Sequence, residues 1–249
     1  MTEEPNRGRG RIGLLVPFTN TNLEPDLALL APQGISLHVA RLGGYEEDAI
    51  PDEAQMAGLG LSDLEGPLGL LAGVRPDVIL YGCTSATLAH GPAFDAALAE
   101  RASRLAGAPV VTAAGAVVSA CRSLGVTRVA FASPYVPSLA ERAAAFLAGA
   151  GIEAVSVAGP EEALGNREQG ALTPAQVLAL GRRADHKAAE AILLSCTDMR
   201  AVEIVEALEA ETGKPVITSN QAMMHAALPH LRSAVPVTCG RLLAEREEA

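Results

Sequence analysis

A chain of 249 residues with a formal net charge of −10, no tryptophan and 3% aromatic residues has neither the positive field that draws nucleic acid nor the stacking platforms that hold single strands. Its apolar fraction of 49% is enough for two modest α/β domains or one large one, yet no stretch offers the roughly 20 apolar residues of a membrane span, and Met1–Arg7 lacks the apolar core of a signal peptide. A cytoplasmic protein is therefore expected, with neither membrane nor nucleic acid as a partner, whose four cysteines (Cys83, Cys121, Cys196 and Cys239) remain thiols and show no CxxC spacing for zinc.

Residues Met1–Gly10 read as a loose polar leader. A strand over Ile12–Val16 runs into the loop Pro17–Asp26, where Thr and Asn offer side-chain caps and Glu24 and Asp26 suit the first turn of a helix. Ile35–Ala40 alternates as a second strand. Arg41–Gly66 is rich in glycine, proline and acid, lacks periodicity until a helix expected around Leu61–Ala72, and is a candidate lid. Val78–Tyr81 is a short, wholly apolar strand that leads into Cys83-Thr84. A helix over Pro92–Leu105, a strand over Val110–Thr112 and a helix over Ala113–Leu124 follow, the last carrying Cys121 among small apolar residues as inert core and ended by Gly125.

From Thr127 the order repeats. Arg128–Pro134 matches Arg11–Pro17 as a strand ending in proline, and Tyr135 follows it. A helix over Val136–Ala148 and a strand near Ala154–Val157 lead to the loop Gly165–Glu168. A helix is expected over Thr173–Ala191, with Thr173 as N-cap and Pro174 in its first turn. AILLSCTDMR at Ala191–Arg200 echoes VILYGCTSAT at Val78–Thr87, and Lys214–Thr218 echoes Ala108–Thr112. After a helix over Glu203–Glu211, Ser219-Asn220-Gln221 caps a last helix, Ala222–Leu228, and Cys239 sits in a terminal tail.

The repeat predicts an α/β protein of two pseudo-symmetric βα domains, each with a mostly parallel sheet flanked by helices and with the active site in the cleft between them. Residues 1–117 plus 221–249 are expected to form one half, the C-terminal helix packing back onto it, and 118–220 the other. Facing each other, the halves would bring Cys83 and Cys196 together. A thiol whose pKa is lowered by a helix N-terminus can act as base or nucleophile near neutral pH without a cofactor. No GxGxxG or GxxxxGK[ST] motif is present to hold a dinucleotide or nucleoside triphosphate, and the five histidines share no ligand spacing.

Four segments, PFTNTNLE at Pro17–Glu24, GCTSAT at Gly82–Thr87, SCTDMR at Ser195–Arg200 and PVITSNQA at Pro215–Ala222, resemble the aspartate/glutamate racemase superfamily, and within it the maleate cis–trans isomerases and arylmalonate decarboxylases. The likeness runs from Ile12 to about Leu231. It implies a cofactor-free isomerase of a small dicarboxylate with Cys83 and Cys196 as catalytic residues, Cys83 adding to the alkene and Cys196 handling the proton on the neighbouring carbon. It further implies that Asn20 binds a substrate carboxylate and that Tyr135 and Asn166 line the pocket. Thr84 and Thr197 would orient a carboxylate or cap their helices, Tyr135 could equally pack as an amphipathic side chain, and Asn166 could be a turn residue. The chain departs from the family pattern at Phe18-Thr19, at Asn22, and at His225, where relatives often have tryptophan. Other readings of the same residues are an amino-acid or hydantoin-type racemase with two cysteine acid/bases, an arylmalonate-type decarboxylase, against which Cys83 counts, and a carboxylate-binding protein without turnover. An exposed apolar helix face would suit a homo-oligomer.

Overall fold

A computed structural model describes residues 8–43, 48–232 and 237–244. The leader expected over Met1–Gly10 lies mostly outside them, as do residues 44–47 of the candidate lid. The first half runs β1 (Gly10–Pro17), α1 (Leu23–Leu30), β2 (Ile35–Leu42), α2 (Glu53–Gly60), α3 (Glu65–Ala72), β3 (Val78–Tyr81), α4 (Thr84–Leu88), α5 (Pro92–Ala106), β4 (Val110–Thr112) and α6 (Ala113–Ser123). The second runs β5 (Arg128–Ala132), α7 (Pro137–Gly149), β6 (Glu153–Ala158), α8 (Asn166–Gly170), α9 (Pro174–Ala184), β7 (Ala191–Leu194), α10 (Val205–Thr212) and β8 (Val216–Thr218); α11 (Ser219–Ala227), which packs against α6 and α1, and α12 (Gly240–Ala244) follow.

Each half holds a four-stranded sheet with every pairing parallel, in the orders β2-β1-β3-β4 and β6-β5-β7-β8. The central strands are buried throughout because helices cover both faces, which is why they are continuous apolar runs rather than alternating ones. In each sheet the strand order reverses between the first strand and its third, and open parallel sheets place ligands at the carboxyl ends beside such a reversal. The loops after β1, β3, β5 and β7 all leave from those ends. No helix among the described residues is long and apolar enough to cross a membrane.

Several local expectations shift. The stretch Arg41–Gly66 contains a helix, α2, that periodicity did not reveal: its apolar residues are spaced among glycines and alanines, and it is started by Asp52, whose carboxylate accepts from the Gln55 N–H at 2.8 Å. The helix expected over Leu61–Ala72 begins only at Glu65. The helix expected to reach Ala191 stops at Ala184, because the chain must turn before entering β7. Asn166, expected in a loop, opens the short helix α8. The last helix starts at Ser219, capped by Thr218 in a reciprocal box with Gln221. Gln221 also donates to the Cys239 carbonyl at 2.8 Å, tying that buried cysteine to α11.

Asp26, the expected first-turn acid, is buried on α1, where its Oδ2 accepts from Asn220 Nδ2 at 2.7 Å. Burial lifts its pKa from 3.8 to about 7. A carboxyl whose folded pKa is raised contributes stability that is fully present below its unfolded pKa and is lost as pH rises through the folded value. A rise of about three pH units, at about 1.4 kcal/mol each, amounts to about 4 kcal/mol lost between pH 4 and a little above pH 7. Asp26→Asn is therefore expected to melt with the parent near pH 4 and roughly 10 °C above it near pH 8. Melting curves across that range check it, and an identical gap at both ends would contradict it.

Candidate active site

Gly82 is required where β3 ends. An added Cβ would lie 2.2 Å from Leu23 Cδ2 and 2.9 Å from the Leu15 carbonyl oxygen, so the glycine lets β3 pass close beneath α1. Cys83 then takes the N-cap position of α4. Its sulfur lies 3.6 Å from Ser85 Oγ, and the Ser85 and Ala86 N–H groups point at it. No such helix follows Cys196: the chain turns through Thr197 and Asp198, and regular structure resumes only at a 3-10 turn, Val202–Ile204. The expectation of a helix start behind both cysteines therefore holds for Cys83 alone.

Burial raises the pKa of both thiols, opposite to the lowering expected from helix N-termini, because desolvation of a thiolate outweighs the few N–H groups aimed at it. The surroundings are unequal. At Cys83 the hydroxyl and N–H groups of Ser85 and the N–H of Ala86 oppose the rise, to which the Asp198 carboxylate adds least. Cys196 has one such donor, the Asp198 N–H at 3.4 Å, while the Asp198 carboxylate adds to the rise and Gln169 Oε1, at 4.0 Å, can accept its proton. The two sulfurs are near enough that charge on Cys83 would disfavour charge on Cys196.

Cys83, Cys196, Asn20, Thr84, Tyr135, Asn166 and Thr197 all line one cavity at the carboxyl ends of both sheets. It has a volume of about 40 Å³ over the positions that a water centre can take, room for about three waters. Pro17, Pro51, Met56, Leu59 and Leu139 form its apolar wall, so α2 and the segment before it cover the site.

The polar side chains are largely committed to joining the halves. Asn20 Oδ1 accepts from the Asn22 and Leu23 N–H groups at 3.1 and 2.9 Å, capping α1 from two residues before its N-cap position, while Asn22, the N-cap by position, makes no side-chain cap bond. Asn20 Nδ2 donates to Thr197 Oγ1 at 3.0 Å, and Thr197 Oγ1 donates to the Gly82 carbonyl at 2.8 Å. Thr84 Oγ1 donates to Ser219 Oγ at 3.0 Å. Neither threonine caps a helix with its side chain. Asn166 Nδ2 donates to the Ala49 carbonyl and to Gln55 Oε1 at 3.1 and 3.2 Å, fastening the covering segment to α8. The Tyr135 hydroxyl lies 3.4 Å from Ser195 Oγ, and burial holds it as a neutral phenol.

Sequence reasoning missed Asp198, Gln169, Ser85 and Thr19 on this wall. Asp198 alone carried a signal, an acid two residues after a motif cysteine. Its Oδ1 accepts from the Thr21 N–H at 2.8 Å, the Asn22 N–H at 3.1 Å and Asn22 Nδ2 at 3.0 Å. Asn22, one of the family departures, is thus the partner of this carboxylate. Burial raises Asp198 to about 6.

Two matching parallel-sheet halves closing on paired thiols define a cleft protein of the racemase-like α/β class. The chain belongs to the arylmalonate decarboxylase family, whose model matches residues 12–243. Among its relatives, a maleate isomerase of Nocardia farcinica is 32% identical over 95% of this chain and 96% of its own length. An arylmalonate decarboxylase of Bordetella bronchiseptica is 30% identical over 84% and 82%. The structure of a cysteine-to-serine mutant of the Nocardia farcinica maleate cis-trans isomerase, with a covalently bound succinylcysteine intermediate, superposes with a TM-score of 0.86 at 28% identity, covering 96% of this chain and 99% of that one.

Proposed function

We propose that the protein converts maleate to fumarate without a cofactor, with Cys83 as nucleophile and Cys196 as proton donor and acceptor. The observation that carries the assignment is the inequality of the two thiols. Two N–H groups aimed at Cys83 and the neighbouring Ser85 hydroxyl oppose the rise and so favour a transient thiolate there, whereas Cys196 has one N–H and an acceptor, and the Asp198 carboxylate is second only to burial among the causes that raise it but the least of those at Cys83, so that Cys196 holds its proton the more readily.

The chemistry follows from addition of S–H across the alkene. Cys83 Sγ bonds one alkene carbon while its proton replaces the one that Cys196 gives to the other carbon. The product is a succinyl thioether in which the former double bond is single. Rotation about it moves the carboxylates apart; the proton held on Cys196 then passes to the Cys83 sulfur as the C–S bond breaks, Cys196 takes a proton back from the same carbon, and fumarate forms with both thiols restored. The succinylcysteine in the Nocardia mutant supports this adduct, since the sulfur bearing it is not the one replaced.

Carboxylate contacts fall to the groups with donors to spare. Asn20 has a second amide hydrogen with no partner among the described residues, and the Tyr135 phenol completes the set. Thr84 and Thr197 set the floor by joining the halves, and Asn166 holds the cover shut. The small cavity favours a small acid over one that carries an aromatic ring. Incubation with maleate, followed by NMR, should show fumarate accumulating. No fumarate from intact, reduced protein would remove the proposal.

A further inference from the structure

Among the described residues Asp198 is the one carboxylate on the cavity wall, and no lysine or arginine lines it. With three donors Oδ1 is saturated, whereas Oδ2 takes no hydrogen bond from any described residue. The bare Cα of Gly170 makes room for the carboxylate, since a Cβ there would sit 2.7 Å from Oδ2. The site therefore presents a fixed hydrogen-bond acceptor where a doubly charged substrate would bring a second like charge.

We propose that Asp198 determines specificity: its Oδ2 accepts a hydrogen bond from one end of the substrate, so the site takes a dicarboxylic acid as its monoanion, or as its half-amide, rather than as the dianion. The inference rests on the isomerase reading above. Asp198 is held in place by the loop it caps. The charged and titratable groups around it do not cancel it. Arg41 on β2 is the nearby cation, but it is paired with Glu24 and donates to the Pro17 and Asn20 carbonyls. Asp26 on α1 is another acid in the same field, Arg200 and Glu203 pair with each other, and Cys83, Cys196 and Tyr135 are neutral. The raised pKa of Asp198 fits a proton shared between two carboxyl groups.

The test is calorimetric titration near pH 8 of a Cys83→Ala variant, which cannot form the adduct, in two buffers of different ionisation heat. Maleate should bind with uptake of about one proton, and maleamate, whose amide supplies the hydrogen, with none. Maleate affinity should fall about tenfold per pH unit above neutrality, while maleamate affinity stays level. Adding Asp198→Asn, whose amide can donate to a carboxylate, should abolish the uptake and raise maleate affinity relative to maleamate by tenfold or more on the order expected for a charge-assisted bond. Binding of maleate without proton uptake, or uptake that persists in the double variant, overturns the inference. If the unmodified protein still converts maleate, only this inference falls; if neither acid binds or is converted, the isomerase reading falls with it. The uptake measurement on Cys83→Ala decides the matter even if Asp198→Asn does not fold.

Discussion

A Cys83→Ala variant is expected to fold as the parent does and to lose catalytic efficiency on maleate by on the order of 10⁵-fold, the scale seen when a nucleophile is removed from a cofactor-free site. The fold should tolerate the change because the thiol is a small group on the cavity wall, bonded to Ser85 alone among side chains at 3.6 Å, and loses little packing. Activity should not survive, because without sulfur no bond can form to the alkene carbon and the double bond keeps its barrier to rotation. Serine in its place should do little better, since a hydroxyl in this buried setting ionises far less readily than a thiol. Kinetics with maleate, alongside melting curves to establish folding, check this. A variant within tenfold of the parent would remove Cys83 from the chemistry.

A Cys196→Ser variant is expected to fail differently. The proton it handles sits on the carbon beside the one bonded to sulfur, and a serine hydroxyl is a poor base for taking that proton back. Turnover should fall by about 10²–10⁴-fold, the range for loss of a positioned acid/base group, while addition at Cys83 can still occur. The adduct should then accumulate, and intact-mass spectrometry after incubation with maleate should show the protein heavier by one substrate molecule, with the label on Cys83. The double variant Cys83→Ala/Cys196→Ser should show no label. Label on another cysteine, or none with full turnover, would reverse the assignment of roles. The asymmetry between an inert variant and a stalled one is what a pair of equivalent bases would not produce.

The order of elements was legible because each central strand is a continuous apolar run closed by a small polar motif, and because the motif recurs at Cys83 and Cys196. The same repeat led to an error. It suggested that matched cysteines have matched surroundings, yet α4 starts at Thr84 and nothing helical starts at Thr197. Asn20 stood out within PFTNTNLE, but its double use, capping α1 with its oxygen and reaching Thr197 with its nitrogen, depends on how the halves meet. Asp198 stood two residues after a motif cysteine, but neither it nor Gln169 is marked along the chain as buried rather than solvated.

By itself the sequence determined the α/β repeat, the strands that end at each cysteine, and the family to which the chain belongs, since these depend on local periodicity and on residue types at short spacing. Only the tertiary structure decided which groups face the cavity, how unequal the two thiols are, and that a carboxylate stands among the donors. The facing groups and the carboxylate's place come from partners 115 to 177 positions away, and the thiols' inequality from burial and from nearby donors whose aim the fold alone sets.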